Sequence, residues 1–281
     1  MMENQRHTTK PVALTIAGSD SGGGAGIQAD IKAMEAHGVF SASVLTAITA
    51  QNTVAVTRAF DLPVDLIQAQ LDAVFDDIAI GAVKTGMLSS AAIIEVVAGA
   101  LRHRAAKPLV VDPVMISTTG FKLISDDATG RLISDLFPLA TLLTPNAHEA
   151  AHLTGRSIRT ADDAREAARR LHAMGPAYVL VKGGHLEGET DAIDILYDGA
   201  VFTEFSTPRI DTPHTHGTGC TYASAIAALL ARGFVMEEAV GRAKRYVTEA
   251  IRHGLPIGRG HGPTNHFYFL AGSGIFPADG G

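Results

Sequence analysis

The sequence predicts an α/β fold with a mostly parallel central sheet, and two observations carry this prediction. Short runs rich in Val, Ile and Leu alternate with longer segments of helical apolar spacing, which is the pattern of repeated βαβ units. With 46% apolar and 19% charged residues, the 281-residue chain can also form a large core. The predicted strands are Val12–Ala17, Ser43–Ala50, Ala79–Lys84, Leu109–Asp112, Leu142–Thr144, Tyr178–Lys182, Ala192–Tyr197 and Ala200–Phe205.

Seven helices are predicted between and after these strands, and the last two strands are expected to form an antiparallel edge. We find no internal repeat and no linker composition, so we expect a single domain over 1–281, with its core at about 12–267 and flexible ends at 1–10 and 271–281. The predicted helices are Ile27–His37, Val64–Phe75, Ser90–Arg104, Asp126–Leu136, Ala161–Met174, Thr221–Arg232 and Met236–His253.

The charge pattern excludes some partners. Acidic residues outnumber basic ones by 29 to 23, and no Lys/Arg block forms the footprint of a nucleic-acid binder, so neither nucleic acid nor membrane is expected as a partner. Apolar segments such as Ala223–Ala231 are much shorter than the ~20 residues that cross a bilayer. One cysteine and no signal-peptide pattern favour a reducing, cytoplasmic location.

Polar residues collect where the predicted strands end. Ligands of open parallel sheets bind beyond the carboxyl ends of the strands, so these residues are candidates for one site. Turn formation alone explains the Gly and Pro residues there, but it explains the charged residues less well. The strand-end segments are Gly18–Gly26, Gln51–Asn52, Lys84–Met87, Asp112–Val114, Thr144–Asn146 with Glu149, and Lys182–His185.

The glycine-rich loop Gly18–Gly26 has three interpretations. A P-loop would end in Gly-Lys-Ser/Thr, whereas this loop continues into Ile27. A dinucleotide fingerprint would need an acidic residue after the second strand, where Gln51 stands instead. What remains is a loop that lets backbone approach a small ligand closely. Asp30, one turn into the next helix, can belong to the site or be solvated.

A zinc hydrolase is the alternative from another class. His148-Glu149-x-x-His152 matches the H-E-x-x-H pattern, in which two histidines bind zinc and the glutamate acts as general base. The extended pattern requires a third histidine where Ile158 stands, so the ligand set is incomplete.

The sharpest motif is Gly217-Thr218-Gly219-Cys220, which leads into an apolar helix. Glycines at a helix N-terminus let successive backbone N–H groups point at one place, where the helix dipole also favours anions. The segment therefore predicts a pocket for a phosphoryl group in transit. We expect the helix terminus to lower the pKa of the Cys220 thiol.

Seven ordered motifs together resemble the hydroxymethylpyrimidine/phosphomethylpyrimidine kinase family of thiamin biosynthesis, within the ribokinase-like superfamily. The resemblance runs from about Val12 to Phe267. The motifs are Gly26–Asp30, Thr49–Thr53, Lys84-x-Gly86-Met87-Leu88, Val111–Met115, Thr144-Pro145-Asn146-x-x-Glu149-Ala150, Lys182–His185 and His216–Cys220.

The resemblance implies a three-layer αβα ribokinase-like fold and a reaction. ATP, with Mg²⁺, would phosphorylate 4-amino-5-hydroxymethyl-2-methylpyrimidine and then its monophosphate to the pyrophosphate. The resemblance also implies that Gly18, Asp30, Gln51, Met87 and Val114 line the pyrimidine pocket. Gln51 offers a donor and an acceptor to an aminopyrimidine edge.

For the phosphate end, the resemblance implies that Cys220 is the general base and that the segment from Gly217 to Cys220, with Thr218 and Gly219, forms the anion hole. Lys182 would neutralise phosphate charge, while Asp112 and Glu149, with Asn146, would lie around the Mg-phosphate group. A thiol is a weak base, so positioning of the substrate hydroxyl can matter more than proton abstraction.

Three points stay open in the sequence. Many relatives place Lys-Ser-Gly after the fourth strand, whereas this chain has Ser117-Thr118-Thr119-Gly120 and its nearest lysine at Lys122, which leaves a nucleotide contact by Lys122 in doubt. Close relatives phosphorylate pyridoxal or pyridoxine, so a pyridoxal kinase is the runner-up. The family often forms dimers, which makes a homodimer an option, but no sequence feature specifies an interface.

Overall fold

One nine-stranded sheet organises the chain in the computed structural model, which describes residues 10–116, 120–121, 123–184, 186–187 and 189–271. The strand order is β3-β2-β1-β4-β5-β6-β7-β8-β9. The strands are β1 Val12–Asp20, β2 Phe40–Gln51, β3 Val56–Asp61, β4 Ala82–Thr85, β5 Leu109–Val111, β6 Leu142–Leu143, β7 Tyr178–Gly183, β8 Asp191–Tyr197 and β9 Phe202–Pro208.

The sheet is parallel from β2 to β7 and antiparallel at both edges. The β8–β9 hairpin pairs with β7, which confirms the predicted antiparallel edge. The opposite edge, where β3 pairs antiparallel with β2, was missed because β3 is exposed after its first residue and shows no apolar alternation. The predicted α/β class with a mostly parallel sheet is confirmed.

Within the described residues, eight α-helices lie on the two faces of the sheet. One core packs β-strand residues against α2, α3, α5 and α6, and the other packs them against α1, α7 and α8. Neighbouring strand residues such as Val110 and Val111 enter opposite cores, as expected for the alternation of a strand. The helices are α1 Gly26–Ala36, α2 Val64–Asp77, α3 Ala91–His103, α4 Asp126–Arg131, α5 Ala147–Thr154, α6 Ala161–His172, α7 Thr218–Ala231 and α8 Met236–Arg252.

Two helical segments differ from the prediction. The predicted helix Asp126–Leu136 is α-helical only to Arg131 and continues as a π-helical segment, Leu132–Leu136. Helix α5 was not predicted, because eight residues are too few to show helical periodicity. Its N-terminus is nevertheless well defined, since Asn146 and Glu149 form a reciprocal capping box. In the part of the chain that the structure describes, no helix is both long enough and apolar enough to pass through a membrane.

Candidate active site

A cavity of about 180 Å³ lies at the carboxyl edge of the parallel strands, where the sequence places its polar residues. The ends of β1, β2 and β4 to β7 border it on one side, and the N-terminus of α7 closes it on the other. Of the predicted site residues, the cavity is lined by Gly18, Gln51, Met87, Asp112, Val114, Asn146, Glu149, Lys182 and Gly217–Cys220. The structure therefore brings together all but one of the side chains proposed for the site.

The glycine loop after β1 is held by a single carboxylate. Asp20 Oδ1 accepts the N–H of Gly22 at 2.8 Å, and Oδ2 accepts those of Gly24 at 3.1 Å and Ala25 at 2.8 Å. Burial acts to raise the pKa of Asp20, but hydrogen bonds from His216 and from these amides outweigh it and lower the pKa. The loop is thus fixed around an ionised group before any ligand arrives.

Four residues that the sequence predicts to contact a ring line the cavity together, and we call this part of the cavity the ring end: Gly18, Gln51, Met87 and Val114. A Cβ at Gly18 would overlap the terminal methyl of Met87, so the Met87 side chain packs directly on the backbone of this glycine. Gln51 is partly exposed to the cavity, and its amide contacts Thr49 Oγ1 at 3.2 Å. This end combines apolar walls with one amide, as expected for a site that binds a small polar ring.

Asp30 does not line the cavity, so the expectation that it contacts the ring is wrong. Its carboxylate is fully buried and accepts from Lys84 Nζ with both oxygens at 2.9 Å. Thr15 and Ser224 donate to it as well, at 2.6 and 2.7 Å. Because α1 packs on α7, the residue one turn into α1 faces this interface rather than the ligand.

Lys84 was named in the sequence only as part of the strand-end segment Lys84–Met87 and was given no role, yet it lines the cavity with a fully buried side chain. Burial acts to lower the pKa of Lys84, but Asp30, Cys220 and Asp112 favour the ammonium form and raise the pKa. A buried ion pair beneath the cavity therefore supports its floor.

The α7 N-terminus has the geometry that its sequence predicts. Gly217 has φ 78°, and a Cβ there would overlap the carbonyl oxygen of Gly24, so both its conformation and its contact require glycine. The helical bond series begins with the N–H of Thr221, which donates to Gly217 at 2.9 Å. The earlier N–H groups of Gly219 and Cys220 therefore have no helical acceptor, and both residues line the cavity.

The pKa of Cys220 departs from the expectation. Burial raises the pKa of this thiol to about 11, and Asp30 and Asp112 act in the same direction. Lys84 and the N–H of Gly26 favour the thiolate but do not outweigh burial. The predicted lowering by the helix terminus is wrong, because dehydration next to two carboxylates exceeds the effect of one helix end.

A charged cluster forms the phosphate end. Lys182 Nζ donates to Asp112 Oδ1 at 2.9 Å, and Thr144 Oγ1 donates to the same oxygen at 3.0 Å. Burial acts to lower the pKa of Lys182, but Asp112 and Glu149 raise it. A Cβ on Gly219 would lie 3.3 Å from Lys182 Nζ, which places this ammonium beside the α7 N-terminus. The cluster and the anion pocket are therefore adjacent.

Glu149 is held in place by the capping box of α5, and its surroundings disfavour the ionised carboxylate. Its Oε2 accepts the N–H of Asn146 at 2.8 Å. Burial raises the pKa of Glu149 to about 7, Lys182 acts to lower it, and Asp112 acts to raise it. Two buried carboxylates that share one lysine would be relieved by a further cation.

Mg²⁺ fits this donor set. Magnesium is held in many phosphate-transfer sites by one or two carboxylates, with the other ligands from phosphate oxygens and water. Asp112 and Glu149 supply two carboxylates in one cavity. Among the described residues, no group of three or more His, Cys, Asp or Glu side chains is arranged to hold a metal ion, so phosphate and water would complete the coordination.

The zinc alternative is not supported by the position of α5. His148 and His152 are exposed on this helix, whereas Glu149 between them is buried against the cavity. The carboxylate therefore faces away from the two histidines. Lys122, Ser117–Thr119 and His185 lie outside the described residues.

Asp20 and His216 also line the cavity; the sequence named them only as members of the segments Gly18–Gly26 and His216–Cys220 and gave them no individual role. His216 Nε2 lies 2.8 Å from Asp20 Oδ2 and 3.3 Å from Gln51 Nε2. Their positions in the sequence gave one signal that could have identified them, since each belongs to a glycine motif at the site. Their contact joins residues that are 196 positions apart, which no local pattern reveals.

Comparison with known proteins identifies relatives over nearly the whole chain. The family model for phosphomethylpyrimidine kinase matches residues 20–265. The hydroxymethylpyrimidine/phosphomethylpyrimidine kinase of Streptomyces coelicolor is 51% identical over 262 residues, covering 93% of this chain and 96% of that protein. The thiamine biosynthesis bifunctional protein ThiED of Geobacter sulfurreducens is 54% identical over 90% of this chain, which spans only 51% of that longer protein.

Solved structures give the same result for the fold. The phosphomethylpyrimidine kinase of Clostridium difficile superposes with a TM-score of 0.77 at 47% identity, covering 86% of this chain and all of that one. An ADP complex of Bacillus subtilis pyridoxal kinase superposes with a TM-score of 0.86 at 41% identity, covering 92% and 98% of the two chains. The predicted ribokinase-like αβα architecture is therefore confirmed.

Proposed function

The chain belongs to the phosphomethylpyrimidine kinase family, and from this premise we propose that it transfers the γ-phosphoryl group of ATP to 4-amino-5-hydroxymethyl-2-methylpyrimidine and then to the monophosphate, in thiamin biosynthesis. The observation that carries the proposal is the joining of a small-ring pocket to an anion-binding helix terminus in one cavity. A hydroxymethyl group on a ring held at one end would point toward a phosphoryl group held at the other.

The phosphate end supplies the charge stabilisation that this reaction needs. Phosphoryl transfer has a loose transition state, so the protein acts by positioning the reactants and by neutralising charge on the transferred group. We propose that the N–H groups of Gly219 and Cys220, which have no helical acceptor, and Lys182 beside them hold the γ-phosphoryl oxygens. Mg²⁺, when bound, would neutralise phosphate charge, and Asp112 and Glu149 are the residues that would hold it, with Asn146 fixing Glu149.

Cys220 is proposed to orient the substrate hydroxyl by accepting its hydrogen bond at Sγ, while the hydroxyl proton passes to an oxygen of the transferred phosphoryl group as the new O–P bond forms and ADP leaves. At neutral pH a thiol with a pKa of about 11 is protonated, so it is a poor base in the resting enzyme. Placement at the first turn of α7 puts it beside the group in transit.

We expect Cys220→Ala to lower kcat by about 10²-fold, the lower end of the range for a general base, because the thiol acts mainly by position. Cys220→Ser keeps a hydrogen-bond acceptor for the substrate hydroxyl in place and should recover part of the loss. Rates are measured with saturating ATP and the aminopyrimidine alcohol. An unchanged kcat in Cys220→Ala would remove Cys220 from the mechanism.

Pyridoxal phosphorylation is the second candidate, and a specific observation favours it. The pyridoxal kinase of Bacillus subtilis superposes more closely than the Clostridium difficile phosphomethylpyrimidine kinase, with TM-scores of 0.86 and 0.77. Sequence identity favours the pyrimidine instead, because the Streptomyces coelicolor kinase is 51% identical and the pyridoxal kinase 41%. The two substrates share a hydroxymethyl group on a small aromatic ring, so the cavity alone does not separate them.

A coupled ADP-release assay with the two alcohols side by side tests the proposal. We expect a higher kcat/KM for the aminopyrimidine alcohol than for pyridoxal, with further ADP release when the pyrimidine monophosphate is supplied. A preference for pyridoxal would replace the proposed substrate, and no ADP release with either alcohol would contradict the proposed reaction. The homodimer stays a prediction, which light scattering of the purified protein checks.

A further inference from the structure

A short chain of polar contacts links the glycine loop to Gln51 through His216. Asp20 Oδ2 lies 2.8 Å from His216 Nε2, which in turn lies 3.3 Å from the amide of Gln51. Asp20 and His216 are 3% and 8% exposed, so water competes little for these contacts. Gln51 thus has a neighbour that is itself fixed by a charged group.

Both members of the Asp20–His216 pair are rigidly held. Three loop amides donate to the Asp20 carboxylate. The backbone of His216 is bonded on both sides, because its N–H donates to Gly262 and its carbonyl accepts from Thr264. A Cβ on Gly24 would overlap the imidazole ring, so the ring is also packed closely. The imidazole therefore has one orientation.

The ionised state of Asp20 decides where the His216 proton lies. A carboxylate accepts hydrogen bonds and donates none, so the 2.8 Å contact requires a proton on His216 Nε2. The same nitrogen then cannot accept from the NH₂ group of Gln51. As the amide stands, its NH₂ group finds no acceptor on His216 Nε2 at 3.3 Å, whereas after a half-turn of the amide its oxygen can share the single Nε2–H with Asp20 in a three-centre hydrogen bond.

Thr49, the other neighbour of the Gln51 amide, favours the same 180° rotation of that amide. Thr49 Oγ1 donates to the carbonyl of Ser19 at 2.9 Å and lies 3.2 Å from the far end of the Gln51 amide. Since the hydroxyl has only one proton, its remaining capacity toward Gln51 is as an acceptor. An NH₂ group fits at Thr49, and a carbonyl oxygen fits at His216.

We propose that Asp20 and His216 determine substrate specificity by setting the orientation of the Gln51 amide, with its oxygen toward His216 and its NH₂ group toward Thr49. This orientation fixes the order in which an acceptor and a donor are presented to the ring. An aminopyrimidine edge has a donor beside an acceptor and pairs with an amide in one orientation. A pyridine alcohol without the amino group does not have this pairing. His216 is thus a positioning residue for ring recognition.

The claim that His216 affects ring specificity rests on the proposed function. The kinetics of three variants test this claim. His216→Ala frees the amide, and we expect the KM for the aminopyrimidine alcohol to rise about five- to tenfold. The KM for pyridoxal and both kcat values should change less than threefold. His216→Gln can place an amide N–H at Asp20 and should recover most of the loss. His152→Ala, an exposed histidine on α5, is the matched control and should change nothing.

If His216 only stabilised the fold and did not orient Gln51, such a role would give different kinetics. It would lower kcat/KM for both alcohols equally and would leave His216→Gln as impaired as His216→Ala. Either outcome, or an aminopyrimidine KM within twofold of the parent in His216→Ala, overturns the inference. If the parent has no activity on either alcohol, the proposed function fails.

A measurement on the unmodified protein decides the proton position independently of activity and of variant folding. Long-range ¹H–¹⁵N NMR of histidine side chains in ¹⁵N-labelled protein identifies which ring nitrogen carries the proton. We expect His216 to be protonated at Nε2 over the pH range in which Asp20 is ionised. An Nε2 without a proton would contradict the inference, even if the kinase assay succeeds.

Discussion

The two ends of the cavity are stabilised in opposite ways. At the ring end, the ionised Asp20 receives three loop amides and His216, so its charge is satisfied within the protein. At the phosphate end, Asp112 and Glu149 share Lys182, and the pKa of Glu149 is raised to about 7. The ring end is therefore complete before ligands bind, while the phosphate end holds charges that bound ligands would compensate. This difference supports the proposal that recognition and charge stabilisation are divided between the two ends.

Replacing the lysine of the phosphate end should have the largest effect. In Lys182→Met we expect kcat to fall about 10³-fold, because the variant loses a preorganised positive charge at the transferred group. The KM for the ring alcohol should stay within threefold of the parent. Steady-state kinetics measure both values. Lys10→Met, in an exposed ion pair with Glu35, is the matched control.

The proposal that the two ends have separate roles would be contradicted if Lys182→Met raised the KM for the alcohol and kept kcat within tenfold of the parent. Thermal unfolding of the variant is a useful companion measurement. Removing the lysine leaves Asp112 and Glu149 buried without their shared partner, so we also expect a lower Tm.

The raised pKa of Glu149 predicts a pH-dependent stability. Between about pH 4.5 and 7 the folded protein keeps a proton that the unfolded chain has lost, so this group stabilises the fold fully below pH 4.5 and loses that effect as the pH rises through 7. The change amounts to at most about 3 kcal/mol. Chemical denaturation at pH 5 and pH 8, without nucleotide or Mg²⁺, measures it.

Glu149→Gln should remove this part of the pH dependence, because a neutral amide occupies the same place. The exposed Glu166→Gln is the control and should keep the parent profile. If Glu149→Gln and the parent lose the same stability between pH 5 and pH 8, the phosphate end is not the strained end.

The smallest expected effect lies at the ring end. In Gln51→Ala we expect the KM for the aminopyrimidine alcohol to rise about tenfold with kcat within threefold, since one amide that binds the ring is lost. Gln68→Ala, on the surface of α2, should leave both values unchanged. A loss confined to kcat would move Gln51 from recognition to the chemical step.

Most of the sheet and the cavity could be predicted because strand ends are visible in a sequence. Every predicted strand has a counterpart, and the motifs at their ends meet in one cavity. Strand β3 and helix α5 could not be predicted, since one is exposed and the other spans eight residues. A local sequence pattern identifies a strand or helix only when buried and exposed residues alternate regularly over enough residues.

The direction in which a side chain points and the pKa of a buried group could not be predicted in the same way. Helical spacing places Asp30 one turn into α1, but only the packing of α1 on α7 shows that it faces Lys84 and Ser224. Likewise, the helix terminus suggests a lowered pKa for Cys220, while the carboxylates that help to raise it come from distant segments. Roles that depend on contacts between remote segments need the structure.

The central claim is that a ring alcohol held at one end of the cavity receives a phosphoryl group held at the other. ³¹P NMR of a reaction with ATP, Mg²⁺ and 4-amino-5-hydroxymethyl-2-methylpyrimidine tests it most directly. We expect a phosphomonoester resonance of the alcohol to appear as ADP forms, followed by the two resonances of a diphosphate ester. ATP that stays intact, or ADP that forms with inorganic phosphate and no ester, would contradict the account.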